Sequence, residues 1–75
     1  METYANLGGD SAVVGFEITE QSISVQFRSG SIYLYNYEVT GSHYVEEMKR
    51  LAAAGRGLGR FIASVVKKNY ASRLQ

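Results

Sequence analysis

Residues Gly55-Arg56-Gly57-Leu58-Gly59-Arg60-Phe61 place three glycines and two arginines within one short stretch. Glycines leave backbone N–H groups open to a ligand, and the hydrophobic pattern that follows starts a helix at about Leu58. A helix N-terminus flanked by arginines is an anion site in principle. Lys67, Lys68 and Arg73 follow with no acid between them and extend the positive charge. The segment is not a P-loop, because no Gly-Lys-Ser/Thr follows. Nor is it a dinucleotide fingerprint, because Arg60 takes the place of a glycine and no strand precedes it. A structural reading stands beside the chemical one: a turn between two helices needs glycine for sharp bends and close packing. A second cluster, Tyr33, Leu34, Tyr35, Asn36 and Tyr37, sets aromatic rings at alternate positions. Such rings serve either as a platform on which bases stack or as the wall of a small core.

Catalysis lacks its parts. There is no cysteine, and His43 is the only imidazole, placed where a first helical turn is expected. A lone histidine makes neither a zinc site nor a nucleophile–base pair with any of the serines. Glu46 and Glu47 are adjacent in sequence and diverge on a helix, so they do not form a carboxylate dyad. The expectation is a non-enzymatic protein without metal or cofactor.

The elements that position these residues follow from hydrophobic period. In "SAVVGFEI", Ala12, Val14, Phe16 and Ile18 alternate to one side. In "SISVQFR", Ile23, Val25 and Phe27 alternate against Ser24, Gln26 and Arg28. "SIYLYNYEV" is the third strand. The connectors are short, which predicts an antiparallel meander. Then "SHYVEEMKRLAAAG" reads as a helix with Ser42 as N-cap and Gly55 as the C′ residue. Its apolar stripe is Tyr44, Val45, Met48, Leu51 and Ala52. Glu46 and Glu47 are placed in its first turn, with Glu46 able to pair with Arg50. A second helix is expected from about Leu58 to Tyr70, with Leu58, Phe61, Ile62, Val65, Val66 and Tyr70 on its apolar side. Arg60, Ser64, Lys67 and Lys68 lie on its polar side. The predicted fold is α+β: a three-stranded antiparallel meander followed by two C-terminal helices packed on one face. Residues 1–10 read as a flexible tail and 11–75 as one domain.

The turn between the second and third strands decides where the tyrosines point. Ser29-Gly30 suits neither two-residue hairpin turn. A three-residue loop, Arg28-Ser29-Gly30, fits a type I turn with Gly30 left-handed and a bulge. That register pairs Phe27 with Ser31, Val25 with Tyr33 and Ile23 with Tyr35. Tyr33 and Tyr35 then join the apolar face. Ile32 and Leu34 emerge on the other face, where a helix, a tail or a second subunit is needed to cover them.

Charge is split along the chain. All seven acids and a single base, Arg28, lie in residues 1–47, and the remaining seven bases lie in residues 48–75. This polarity points either to an anionic partner or to two halves that face each other in the fold. No run reaches the roughly 20 apolar residues of a membrane helix. The start, "METYANLGGD", lacks a basic stretch followed by an apolar one. The expectation is a soluble, cytoplasmic protein with no membrane partner.

Gly15-Phe16, "ISVQF", "SGSIYLY", Val39 and "GRFIASVVKKNY" occur in the order found in the KTSC domain, which this chain resembles from about Ser11 to Tyr70. That family is named for the C-terminal region of some lysyl-tRNA synthetases and also occurs as free-standing bacterial proteins. Its central Tyr-x-Tyr is matched by Tyr33-Leu34-Tyr35. Its C-terminal pattern resembles Gly59-Arg60-Phe61-Ile62, then Val66-Lys67 and Tyr70. The sequence departs from the family at Thr40, where Pro is usual, at Ala63, where a polar residue is usual, and in a longer stretch from Tyr44 to Gly59. The resemblance implies a fold more than an activity, and the synthetase association implies RNA. Two functions are therefore expected to compete. One is an RNA-binding or other polyanion-binding module that uses Arg56, Arg60, Lys67, Lys68 and Arg73. The other is a protein-interaction or homodimerisation module built on Ile32, Leu34 and the free edge of the third strand.

Overall fold

A computed structural model describes residues 1–75. Five strands form one sheet in the order of the chain, each antiparallel to its neighbour. They are β1 (Glu2–Thr3), β2 (Val13–Ile18), β3 (Ser22–Phe27), β4 (Ile32–Asn36) and β5 (Ser72–Arg73). Between β4 and β5 lie α1 (Ser42–Ala54) and α2 (Leu58–Phe61), the latter running directly into a π-helical segment, Ile62–Val66. The class is α+β, but the meander has five strands and not three.

The central hairpin has the predicted register. Ile23 faces Tyr35 and Val25 faces Tyr33. The Phe27 N–H donates to the Ser31 carbonyl, and Gly30 sits at φ 97°. Strand β2 departs from simple alternation. Its register shifts between Val13 and Gly15, so Val13 and Phe16 are both buried while Ala12 and Val14 are exposed; Ile18, opposite Ile23 on the inner face, is exposed at the strand's end. A bulge inserts one residue and swaps the faces beyond it, which sequence alternation cannot register.

Residues 1–10 are not a tail. Strand β1 pairs with β2, the Tyr4 N–H donates to the Val14 carbonyl at 3.0 Å, and the Tyr4 side chain is only 3% exposed. At the other end, β5 occupies the edge of β4. The Leu74 N–H and the Ala71 N–H donate to the carbonyls of Ile32 and Leu34. The edge expected to be free is thus filled by the chain's own C-terminus.

The core joins Tyr4, Val13, Phe16, Ile23, Val25 and Tyr35 of the sheet side to Val45, Met48 and Ala52 of α1 and to Leu58, Ile62 and Val66. Burying each large side chain contributes about 1.5–3 kcal/mol. Helix α1 begins after Gly41, with Ser42 inside it, and no side chain caps it. Glu46 and Glu47 lie beyond its first turn, and the ion pairs are Glu46–Lys49 and Glu47–Arg50, one position shorter than the predicted Glu46–Arg50. Gly55 closes the helix at φ 74°, its N–H shared between the Leu51 and Ala52 carbonyls, as a left-handed C-cap requires.

The second helix stops at Val66, not Tyr70. Leu58, Ile62 and Val66 are all buried at a spacing of four. In an α-helix four residues overshoot one turn, whereas in a π turn they fall short of one. The switch at Ile62 offsets that drift, and all three side chains reach the core. Val65, expected on the apolar side, is exposed. Lys67 then takes φ 53° and ends the helix, and its N–H donates to the Ile62 carbonyl. This break lets Tyr70 fold back onto the sheet, held by the Thr40 hydroxyl donating to the Asn69 carbonyl at 2.6 Å.

Candidate functional site

The glycine–arginine segment lies against the N-terminal loop. Each contact explains a glycine. A side-chain carbon at Gly55 would stand 2.6 Å from the Ala5 methyl, and one at Gly59 would stand 2.7 Å from Ser11 Oγ. The Leu7 N–H donates to the Gly55 carbonyl at 2.7 Å. The Leu58 N–H donates to the Tyr4 hydroxyl at 3.2 Å. Close packing thus accounts for Gly55 and Gly59, which favours the structural reading of these two glycines.

The same packing leaves a cleft of about 690 Å³ between the two loops. Arg56, Gly57, Gly59 and Arg60 form one wall, Asn6, Gly8, Asp10, Ser11 and Ala12 contribute the other, and Tyr4, Phe27 and Ile62 form the apolar part. The N-terminal wall is ordered by its own bonds. Asn6, at φ 53°, accepts the Ser11 N–H on its side-chain oxygen, Ser11 Oγ accepts the Val13 N–H, and Arg28 donates to the Ser11 carbonyl at 2.8 Å.

The predicted basic residues divide into three places. Arg56 and Arg60 line the cleft. Lys67 and Lys68 are exposed at the far end of the helical segment. Because Lys67 has left the helix, Arg60 and Lys67 do not project as two turns of one regular helix, as their spacing of seven predicts. Arg73 stands apart on β5. Its guanidinium donates to Ser31 Oγ at 3.0 Å and lies 5.7 Å from the centre of the Tyr33 ring.

The two halves of the charge do not neutralise each other. Both ion pairs are local to α1, and no carboxylate stands within 4.0 Å of Arg56, Arg60, Lys67 or Lys68. Within α1 the charges are spoken for. Hydrogen bonds from Lys49 and then from the Tyr37 hydroxyl hold the Glu46 carboxyl below its usual range. The Arg50 guanidinium does the same for Glu47.

The tyrosines are not an open stacking platform. Tyr35 is 1% exposed. Burial, with Tyr33 and Tyr70 beside it, pushes its phenol up to about 12. Tyr33 is half-buried, edge-on to Phe27 at 5.7 Å and against Tyr70 at 4.6 Å. Tyr37 is half-buried at the rim of the core with its hydroxyl on Glu46. His43 is exposed on α1 beside Tyr44. No helix is long and apolar enough to cross a membrane.

Sequence reasoning missed Tyr4, Asn6, Asp10, Ser11 and Phe27 as cleft residues. Asn6 and the Gly8-Gly9 pair carried a turn signal, but nothing local shows that the turn faces residues 55–60. No protein-family model matches the chain, and no match is found among curated proteins or solved structures.

Proposed function

We propose that the protein is a non-catalytic module that binds a polyanion, RNA foremost, through the cations of its C-terminal half. The observation that carries this reading is that Arg56, Arg60, Lys67 and Lys68 are all exposed and none has a carboxylate partner, while every ion pair is confined to α1. Exposed, unpaired cations are the groups that release counterions from a phosphate backbone. The resemblance to the KTSC domain, with its synthetase association, supports the same partner. Arg73 belongs at the margin of this surface, since Tyr33 and Ser31 already engage it. Contacts of this kind go to phosphate and carry little sequence information.

The test is a fluorescence titration with single-stranded RNA at two salt concentrations. Affinity falls as salt rises. Arg60→Ala with Lys67→Ala weakens binding alike across sequences, and each lost phosphate contact flattens the log–log salt slope by about one unit. Absence of binding at low salt overturns the reading. The interaction-module alternative then rests on the sheet face opposite the helices, where Ile32 and Leu34 are half-buried, and no longer on a free strand edge.

A further inference from the structure

The cleft between the N-terminal loop and Arg56–Arg60 differs from a plain basic stripe, because cationic, apolar and acidic groups meet in it. We infer that it is a subsite for a single phosphorylated nucleotide, either free or at the end of an RNA strand. The inference rests on the anion-binding reading above and adds a ligand geometry to it. A volume of about 690 Å³ is within the range of ligand sites and is too small for a folded nucleic acid. Arg56 and Arg60 share one wall, and neither has a protein carboxylate to hold it. Two guanidinium groups suit a phosphate, which accepts paired N–H donors. Phe27 and Ile62 add apolar side chains to its lining, the chemistry that a ring packs against. Asp10 also lines the cleft. Its charge disfavours a ligand that is anionic throughout and suits one that brings hydroxyl or amine donors to that wall. Tyr4 also lines the cleft, and its hydroxyl, which accepts the Leu58 N–H, keeps its own proton as a donor. A phosphate joined to a neutral ring through a polyhydroxyl sugar satisfies all of these at once. Inorganic phosphate uses only the arginines, and a nucleoside only the apolar surface and Asp10.

The experiment is a two-dimensional amide NMR titration of the whole chain with adenosine 5′-monophosphate, with adenosine and with inorganic phosphate. The expected result is that the monophosphate shifts the amides of Gly57, Gly59, Ser11 and Phe27, and binds at least about tenfold more tightly than either fragment. Arg56→Ala with Arg60→Ala weakens it by about tenfold or more, the scale of one lost charged hydrogen bond, with the spectrum otherwise unchanged. A second arm compares an RNA oligonucleotide with a 5′-phosphate against one with a 5′-hydroxyl. A preference for the phosphorylated end identifies strand ends as the source, and monophosphate binding without it identifies a free nucleotide. Either result sustains the subsite. Phosphate binding as tightly as the monophosphate overturns it. So does a monophosphate titration that leaves the cleft amides still; if RNA then shifts Lys67 and Lys68 alone, the RNA reading survives. Monophosphate binding in the cleft with no RNA binding leaves the subsite standing and removes the RNA reading.

Discussion

Tyr33 on β4 and Tyr70 beyond the helices meet with ring centroids 4.6 Å apart, so the C-terminal segment is fastened to the middle of the sheet. Tyr35 joins them edge-on to Tyr70 at 6.3 Å, and Phe27 joins from the β3 side. Aromatic pairs of this kind are worth about 0.5–1.5 kcal/mol beyond the area they bury. Tyr33→Leu and Tyr70→Leu are therefore expected to be coupled by about that amount in a double-mutant cycle of denaturant unfolding. Strict additivity would mean that the rings do not hold the segment.

Tyr35 supplies a pH dependence. Its phenol is raised to about 12 in the folded protein from an ordinary value of 10.0. The folded state keeps the proton more tightly, so this contribution to stability is complete below pH 10 and is lost as pH rises toward 12. Melting temperature should fall over that interval, and Tyr35→Phe should flatten the fall while leaving stability near neutral pH almost unchanged. Tyr35→Ala is different in kind, because it empties the core and should cost about 3–5 kcal/mol. An unaltered melting temperature in the alanine variant would place the ring in solvent.

The N-terminal strand is expected to carry weight. Tyr4→Phe keeps the buried ring but leaves the Leu58 N–H without its acceptor. An orphaned buried donor costs about 1–3 kcal/mol. Chemical denaturation of this variant measures that loss, and an equal stability would show that the N–H finds water instead.

Gly59→Ala brings a methyl against Ser11 Oγ at 2.7 Å, at a backbone angle that alanine adopts freely. Any destabilisation is then steric and not conformational. Overpacking of this kind costs about 1–3 kcal/mol. Pairing it with Ser11→Gly should recover part of the loss in thermal unfolding, and no recovery would put the clash elsewhere.

The central hairpin was legible because its signals are local. Alternating Ile23, Val25 and Phe27 and the position of Gly30 set the register, and the register put Tyr33 and Tyr35 on the inner face. Helix α1 and its stop at Gly55 were legible for the same reason, since an apolar stripe and a left-handed cap are both written within a few residues. The arginines and glycines of residues 55–60 were legible as a candidate site by type and spacing. What stands across from them was not. Glu2, Thr3 and Ser72 belong to strands only two residues long, and no two-residue run carries a period. Their structure comes from hydrogen bonds to β2 and β4, which are contacts between distant parts of the chain. The Val13–Gly15 bulge, the π turn at Ile62 and the break at Lys67 are likewise adjustments to packing, each made to seat a side chain on an element remote in sequence. Local preference therefore determined the hairpin, the first helix and the cations, and tertiary contact alone decided that the two ends of the chain close the sheet and that the N-terminal loop completes the cleft.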